Sequence, residues 1–275
     1  MRPELAANPT AWLRLASRTG RLLKNFGDEF SPLAWEFASG RSVEWSAPAM
    51  ADAFGVGSVL ELVTVAQNNP IIWGTGLRHD PRAGDEIHAL EGNLRIAAVR
   101  GPLTSAGLSL ATTPPFGDPG MLIAAMTKHV SPSKRHGKVF VAHFRTWATR
   151  DGRHLLDLAS RIGYTIVRPS EHPLKVARLI AQSEFVLTSS LHGLIFADAL
   201  GVPCQLFHND PSEPTFKFSD YSQSVGLEFE PIGWKEASDP RFVSTNFERL
   251  ESRAVIVQQS VSQLIDPLIR SIQNV

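Results

Sequence analysis

The sequence predicts an α/β fold built from two Rossmann-like units that face a cleft, and three observations lead to this prediction. Short β-branched runs alternate with stretches of helical periodicity along most of the chain. The length of 275 residues suits two units, each large enough for a core. A polar, basic stretch without periodicity separates the two series at residues 127–138. We therefore expect an N-terminal unit over 1–130, a second unit over 131–245 and a C-terminal helix over 246–275.

The elements of the first half follow from short apolar runs. Apolar and β-branched residues predict strands at 11–15, 58–62, 70–73 and 96–99. Helical periodicity predicts helices at 29–38 and 102–106. The second of these helices begins with Pro102 at its first position, where the missing N–H is not needed.

The second half repeats the alternation more regularly. Strands are predicted at 138–144, 164–169, 184–190 and 202–207. Helices are predicted between them, at 153–163, 172–183 and 191–201. Four strands joined by three crossover helices describe a Rossmann-like unit.

The C-terminal segment carries an apolar stripe at helical spacing. The stripe consists of Val261, Leu264, Ile265, Leu268, Ile269 and Ile272. Such a pattern is typical of an amphipathic helix. Because an exposed stripe of this length would aggregate, we expect the helix to pack back on the N-terminal unit or on a partner.

Composition and missing motifs exclude several classes of protein. Lys plus Arg and Asp plus Glu both number 27, so no excess positive charge favours binding to a nucleic acid. The single cysteine, Cys204, excludes internal disulfides and sites with several Cys ligands. No P-loop, zinc-protease or hydrolase motif is present, so no metal and no organic cofactor are expected. Without a secretory signal or an 18-residue apolar run, the expected location is the cytosol, with peripheral contact at the inner membrane face left open.

The strongest local signal lies in residues 184–203. A predicted strand ends at Thr188, Ser189 and Ser190 are expected to cap the next helix with their hydroxyls, and His192 falls in its first turn. The helix N-terminus favours an anion there, and a protonated His192 would add a donor. Gly193 would let the anion approach the backbone closely. The competing interpretation is a simple Ser-Ser cap with His192 on the surface.

Two further cations follow predicted strands of the second half. Arg145 lies at the edge where His192 is expected, and its planar guanidinium suits a bidentate contact to a phosphate or carboxylate. Lys217 follows the last strand and is a second candidate for the cleft. For both residues the alternative is a solvated side chain. His143 is expected to be packed in the core.

The first half offers candidates for the other side of the cleft. Asp28 lies near a predicted helix start, where it either caps the helix or serves as a base. The turn Gly74-Thr75-Gly76 follows a strand and is a candidate ligand cradle, but it lacks the third glycine of a dinucleotide site. Arg100 either faces the cleft or holds the loop that contains Asp118, and we favour the second role.

Seven segments together resemble the polysaccharide pyruvyl transferase family, which includes the bacterial exopolysaccharide ketal-pyruvyl transferases. In chain order, within residues 11–225, they are NFGDE, VGSVL, IIWGTGL, AVRGPLT, FGDPGML, SSLHGLIFADALGVP and KFSDY. The order of the segments is more specific than any one of them. The resemblance implies a GT-B-like fold and a reaction between phosphoenolpyruvate and two hydroxyls of one sugar, which forms a cyclic pyruvate ketal and releases phosphate.

The resemblance also implies a donor site in the second half. His192, the backbone of Leu191 and Gly193, and Arg145 would hold phosphoenolpyruvate. Some members have arginine where this chain has Ser190, which leaves more of the charge to Arg145 and to the lysine at position 217. Phosphoenolpyruvate carries close to three negative charges, so a chain of net charge zero needs such a concentrated donor set.

The implied reaction assigns roles to the remaining candidates. His192 is expected to be the acid or the donor to the departing phosphate, and Asp28 the base. Gly74, Thr75, Gly76 and Arg100 are placed with Asp28 on the acceptor side. The expected acceptor is a lipid-linked oligosaccharide, modified before its export. Two rival interpretations remain: a GT-B glycosyltransferase with a nucleotide-sugar donor, and a carbohydrate-binding protein without catalysis.

Overall fold

The computed structural model describes residues 13–16, 25–81, 94–127, 134–208, 210 and 213–273. Within these ranges, the strands pair in parallel and form two sheets flanked by helices. The predicted α/β class is therefore confirmed. The predicted boundary at residue 130 lies outside the described residues, and the division into two facing, GT-B-like units stays a prediction.

The first half forms a sheet of five described strands in the order β2-β1-β3-β4-β5. These strands are β1 (Leu13–Ala16), β2 (Val43–Ser46), β3 (Ala53–Phe54), β4 (Ile71–Trp73) and β5 (Arg95–Ala98). The helices of this half are α1 (Phe26–Ser39), α2 (Pro102–Gly107) and α3 (Ile123–Met126).

The strand predicted at 58–62 is wrong, because a 3₁₀ helix occupies Leu60–Val65. Leu60 and Val63 are its buried residues, and their spacing of three matches one 3₁₀ turn. The two strands β2 and β3 were not predicted. Of the strand predicted at 11–15, residues 11 and 12 lie outside the described ranges.

The second half forms a sheet of four described strands in the order β7-β6-β8-β9. The strands are β6 (Lys138–Val141), β7 (Tyr164–Val167), β8 (Phe185–Thr188) and β9 (Cys204–Leu206). The helices are α4 (Phe144–Ala148), α5 (Arg150–Arg161), α6 (Pro173–Gln182), α7 (Leu191–Ala199), α8 (Phe216–Ser224), α9 (Trp234–Ala237) and α10 (Phe242–Gln273). The four predicted strands and the three predicted crossover helices are confirmed, and Gly201 follows α7 with the left-handed φ of 61° expected at a helix end.

Each sheet has a point where the strand order reverses. In the first sheet it lies between β1 and β3, and in the second between β6 and β8. Open α/β sheets bind ligands beyond the carboxyl ends of the strands at such points. Thr188 Oγ1, at the end of β8, donates to Val141 O, at the end of β6, over 2.9 Å, which fixes the two strand ends side by side.

One continuous cluster of buried apolar side chains joins the two sheets. Phe26 and Phe30 of α1 pack edge-on against Phe196 of α7, with ring centroids 5.5 and 5.1 Å apart. The backbone N–H of Phe26 also donates to Pro169 O over 2.8 Å. The start of α1 is therefore held directly against the second half.

The C-terminal stripe lies on the 32-residue helix α10. Val261, Leu268 and Ile272 are buried in the shared cluster. The indole Nε1 of Trp73, in β4, donates to Leu268 O over 2.9 Å. The helix also contacts α1 and α7, so it packs on both halves. Among the described helices, none has the length and apolar character required to cross a membrane.

Candidate functional site

Four basic side chains surround a single carboxylate, Glu213, near the carboxyl ends of the strands of the second sheet. Arg78 Nη2 lies 3.2 Å from its Oε2, Arg145 Nη1 lies 3.4 Å from the same oxygen, and Lys217 Nζ donates to Oε1. His143 Nε2 lies 3.8 Å from Oε1. We call these five residues the Glu213 cluster.

The cluster draws its members from both halves. Arg145 lies in α4, directly after β6, and Lys217 lies in the first turn of α8, four residues after Glu213. Arg78 comes from the loop after β4 of the first half. The Arg145 side chain is 43% exposed, whereas Lys217 and Glu213 are 7% and 6% exposed. The cluster is therefore mostly buried, with one arginine open to solvent.

Burial and mutual charge set the protonation of the cluster. Burial lowers the pKa of Lys217 to about 8, against the opposing effect of Glu213. Burial would raise the pKa of Glu213, but Lys217, His143 and Arg78 together bring it below its usual range. Burial and the charge of Lys217 lower the pKa of His143 to about 4. At neutral pH the cluster therefore holds a carboxylate among three cations and a neutral imidazole.

A cavity of about 720 Å³ opens beside the cluster. Its wall includes His143, Arg145, Ser189, Glu213 and Trp234. His143, predicted to be a core residue, thus lines an open space. The Glu213 cluster therefore borders an open cavity.

His192 lies in the first turn of α7, as predicted, but is only 5% exposed. A β-carbon added at Gly27 would overlap its Nδ1, so only glycine at the start of α1 leaves room for this imidazole. On its other side, Nε2 lies 3.9 Å from Asp118 Oδ2. The imidazole is therefore enclosed between the NFGDE and FGDPG segments of the first half.

The surroundings of His192 disfavour the protonated form that would add a donor. Burial, followed by the charges of Lys217 and Arg100, lowers its pKa to about 3. The imidazole is thus neutral at pH 7 and donates from one ring nitrogen only. The influence of Lys217 also shows that His192 lies within electrostatic reach of the Glu213 cluster.

Asp118 is fully buried next to His192. Its Oδ1 accepts from Gly120 N over 2.8 Å and caps the 3₁₀ helix Pro119–Leu122. Burial raises its pKa to about 6, although the Gly120 N–H and Arg100 act in the opposite direction. Asp118 Oδ2 and His192 Nε2 have no hydrogen-bond partner among the described residues.

The hydroxyl caps expected for α7 are not formed. Ser190 is the N-cap residue, but its side chain makes no capping hydrogen bond. Ser189 Oγ instead accepts from His143 N over 2.9 Å, which ties the end of β8 to the end of β6. A β-carbon at Gly193 would overlap Thr188 Oγ1, so this glycine serves the packing of α7 on the sheet. Leu191, next to Ser190, is buried as well.

Asp28 lies in the first turn of α1, but Asn25 is the N-cap and accepts from Gly27 N over 3.3 Å. A β-carbon at Gly57 would lie 3.4 Å from Asp28 Oδ1 and 3.6 Å from His192 Cε1. Gly57 follows β3, at the reversal point of the first sheet. The structure therefore brings Asp28 and His192 to the same place.

The Gly74-Thr75-Gly76 turn packs against the protein itself. Gly74 lies against Pro119, and a β-carbon at Gly76 would lie 2.5 Å from the Arg100 guanidinium. Thr75 Oγ1 donates to Gly57 O over 2.9 Å. All three residues are buried, so in this conformation the turn supports neighbouring loops rather than presenting an open cradle.

Arg100 is fully buried and forms an ion pair between the halves. Its Nε donates to Asp220 Oδ2 over 2.9 Å, and its Nη1 donates to Ser58 Oγ over 2.7 Å. Thr104 completes the pair by donating to Asp220 from its backbone and its hydroxyl. Arg100 therefore has a structural role, but its side chain bonds to Asp220 of the KFSDY segment, Ser58 and Leu77 rather than to the loop that contains Asp118.

Three residues of the site were missed at the level of the sequence: Arg78, Asp118 and Glu213. Asp118 was noted only as part of a loop, since an Asp-Pro-Gly sequence indicates a turn. Glu213 stands four residues before Lys217, a spacing that favours an ion pair on a helix, and this signal was available. Arg78 gave no signal, because its contact with Glu213 joins residues 135 positions apart.

Comparison with known protein families shows which family this chain matches. The family described as polysaccharide pyruvyl transferase matches residues 28–211, a range that contains Asp28, Asp118, Arg145 and His192. Lys217 lies beyond the matched range.

Two curated relatives and one solved structure are similar to the chain. Succinoglycan biosynthesis protein ExoV of Rhizobium meliloti is 26% identical over 221 residues, covering 75% of this chain and 63% of ExoV. An uncharacterized protein of Acanthamoeba polyphaga mimivirus is 25% identical over 180 residues, covering 63% of this chain and 60% of that protein. The chain thus spans less than two thirds of the length of these relatives. The structure of the wall teichoic acid polymerase TagF aligns with a TM-score of 0.42 at 11% identity, over 95% of this chain and 85% of that chain.

Proposed function

The chain belongs to the polysaccharide pyruvyl transferase family, as its motifs predicted, and we propose that it transfers pyruvate from phosphoenolpyruvate to a hexose. Two hydroxyls of a hexose in an exopolysaccharide repeat unit receive the group, and a cyclic pyruvate ketal and phosphate are formed. The observation that carries the proposal is the Glu213 cluster. Three cations that hold one buried carboxylate are suited to the carboxylate or phosphate of phosphoenolpyruvate.

Donor binding exchanges one anion for another. Phosphoenolpyruvate enters through the cavity beside Arg145, and its anionic groups take the place of the Glu213 carboxylate among Arg78, Arg145 and Lys217. These cations then face the phosphate as it leaves with its bonding electrons. Fixed donors aimed at developing charge are the largest single contribution in many enzymes.

The reaction balances with one proton per hydroxyl. The oxygen of the first hydroxyl attacks C2 as the electron pair of the C2–C3 double bond forms the new C3–H bond, and this hydroxyl loses its proton. The second hydroxyl loses its proton as it displaces phosphate from C2, and the phosphate carries that proton away. Because burial favours the neutral form of His192, its imidazole is suited to pass the first proton from the hydroxyl to C3 within this step, in place of the charged acid expected from the sequence.

The acceptor lies on the first-half side of His192. Asp28 stands there beside Gly57 and is the candidate base for the second hydroxyl. Arg100 takes no part, since its guanidinium is fully engaged with Asp220, Ser58 and Leu77. The name of ExoV, a succinoglycan biosynthesis protein, supports a polysaccharide repeat unit as the acceptor. We propose the lipid-linked form of this unit, met in the cytosol at the inner membrane face, with no organic cofactor.

The test follows phosphate release and ketal formation. Phosphoenolpyruvate is offered with lipid-linked oligosaccharides and soluble glycoside mimics, and UDP-sugars are offered as competing donors. We expect phosphate release and a ketal by mass and NMR. Arg145→Ala should lower turnover by about 10²-fold, because losing one donor to developing charge costs about 3 kcal/mol. Arg161→Ala, an exposed arginine of α5, is the matched control.

Two results would contradict this function. Consumption of a UDP-sugar in place of phosphoenolpyruvate would favour a glycosyltransferase. Full turnover by Arg145→Ala, with an unchanged melting transition, would remove the Glu213 cluster from the donor site.

A further inference from the structure

Asp118 and His192 present two unpaired polar atoms to each other in the interior. Asp118 Oδ2 and His192 Nε2 are 3.9 Å apart, and neither has a hydrogen-bond partner among the described residues. The Asp118 carboxylate is fully buried and the imidazole is 5% exposed. A small approach of the two groups is enough to form a hydrogen bond.

A cap alone does not account for Asp118. Capping of the 3₁₀ helix Pro119–Leu122 uses only Oδ1, which accepts from Gly120 N. The second oxygen is buried and has no hydrogen-bond partner in bonding geometry among the described residues, although a backbone contact from Gly57 also lowers the Asp118 pKa. Asparagine would cap this helix equally well without a buried charge. The second carboxylate oxygen is the one that faces His192.

The opposite edge of the imidazole faces the start of α1. His192 Nδ1 lies against Gly27, and Cε1 lies beside Gly57, the glycine that also borders Asp28. Asp118 and the start of α1 thus lie on opposite edges of one ring. A hydrogen bond at Nε2 fixes which ring nitrogen carries the proton and leaves Nδ1 as the base.

We propose that Asp118 is the positioning residue of His192 and holds the ring proton on Nε2. This inference rests on the proposed function for its chemistry. With the ring in this tautomer, Nδ1 takes the proton of the first hydroxyl and passes it to C3 in the step in which the hydroxyl oxygen bonds to C2. The Asp118 carboxylate stabilises the charge that the imidazole carries during this transfer, and both groups end the step as they began it.

Burial and nearby charges set the protonation state of the pair. Asp118 is influenced by Arg100 and Asp220, and His192 by Lys217, Arg100 and His143, with Asp28 beside Gly57. The pKa of Asp118, raised to about 6 by burial, lies above that of His192, lowered to about 3 by burial. An additional proton taken up below pH 6 therefore goes to the carboxylate, whereas at pH 7.5 the pair is a charged carboxylate beside a neutral imidazole.

The kinetic test uses Asp118→Asn in the full chain. The amide oxygen keeps the bond from Gly120 N, and the amide NH₂ faces His192 Nε2 but takes up no proton. We expect kcat for pyruvyl transfer to fall by about 10²-fold or more, with the KM for phosphoenolpyruvate unchanged. The change in kcat near pH 6 that reflects the titration of Asp118 should disappear. Asp157→Asn, an exposed carboxylate of α5, is the control.

A second measurement does not depend on activity. In ¹⁵N-histidine NMR at pH 7.5, the resonances of His192, assigned by their loss in His192→Gln, should show a protonated Nε2 and a bare Nδ1. Asp118→Asn should reverse this tautomer, because its NH₂ requires Nε2 as an acceptor. The wild-type resonances should also shift near pH 6, as Asp118 titrates.

The outcomes separate this inference from the proposed function. A wild-type tautomer with the proton on Nδ1 would overturn the inference, even if Asp118→Asn failed to fold. An unchanged kcat and pH profile in a folded Asp118→Asn would overturn it as well. Absence of pyruvyl transfer together with the expected tautomer reversal would contradict the function and leave the pairing in place.

Discussion

Folding raises the pKa of Asp118 and lowers the pKa of His192. The folded carboxyl of Asp118 has a pKa of about 6 instead of 3.8, so its contribution to stability is complete below pH 3.8 and is lost as the pH rises through about 6. The folded imidazole of His192 has a pKa of about 3 instead of 6.5. Its contribution is present above pH 6.5 and is lost as the pH falls toward 3.

Two variants should separate these contributions in the free energy of unfolding. As the pH rises from 4 to 6, Asp118→Asn should gain stability relative to the wild type, because the wild type loses the contribution of Asp118 and the variant does not. Over the same rise in pH, His192→Gln should lose stability relative to the wild type, because the wild type gains the contribution of His192 and the variant does not. Urea denaturation at pH 4.5 and 6.5 measures both differences. Parallel pH profiles for all three proteins would show that neither group is buried as described.

For single residues, the sequence predicted the position of a side chain in the fold better than its protonation state. The Leu-His-Gly segment placed His192 in a first helical turn, and the structure agrees. Its neutral state could not be predicted, since it depends on burial beneath Gly27 and on the nearby charge of Lys217. The pairing of Asp118 with His192 arises only when distant segments meet.

The long helix α10 is held by a few buried side chains on one face. Leu268 is fully buried in the shared apolar cluster, whereas Ile256 of the same helix is 54% exposed. Leu268→Ala should lower the free energy of unfolding by about 2–5 kcal/mol, since it removes buried methyl groups and leaves a cavity. Ile256→Ala should change it by about 0.5 kcal/mol or less. Equal losses in urea denaturation would show that α10 does not pack through this face.

Elements whose apolar residues recur at a clear spacing were predicted, whereas elements too short to show such a spacing were not. The stripe of α10 extends over three turns, and the second-half strands are bounded by helices, so both patterns were readable. Strand β3 contains only Ala53 and Phe54, which is too short to show alternation. The apolar run at 58–62 fits a strand and a 3₁₀ turn equally well, and the buried spacing of Leu60 and Val63 decides between them.

The two halves are joined by an ion pair without solvent contact. Arg100 and Asp220 have no exposed side-chain surface. Asp220→Asn leaves the guanidinium buried without a charged partner, and it should lower the free energy of unfolding by about 3–5 kcal/mol. Glu171→Gln, which breaks the exposed pair with Lys175, should leave the urea midpoint unchanged. A stable Asp220→Asn variant would show that solvent reaches Arg100.

The class and the family of the whole molecule were predictable, because they depend on alternation and on the order of seven segments. The contacts between the halves were not, since they join positions far apart in the chain. Arg100 lies in AVRGPLT and Asp220 in KFSDY, so two segments that looked like separate signals form one buried contact.

These contacts limit how such proteins diversify by recombination. Arg78 and Arg100 come from the first half, and their partners Glu213 and Asp220 come from the second. A chimera that takes one half from this chain and the other from a relative lacking either partner would inherit an isolated buried charge. Exchange of whole halves is therefore expected to destabilise the chain, and single substitutions that leave both ion pairs intact are the better starting point for engineering.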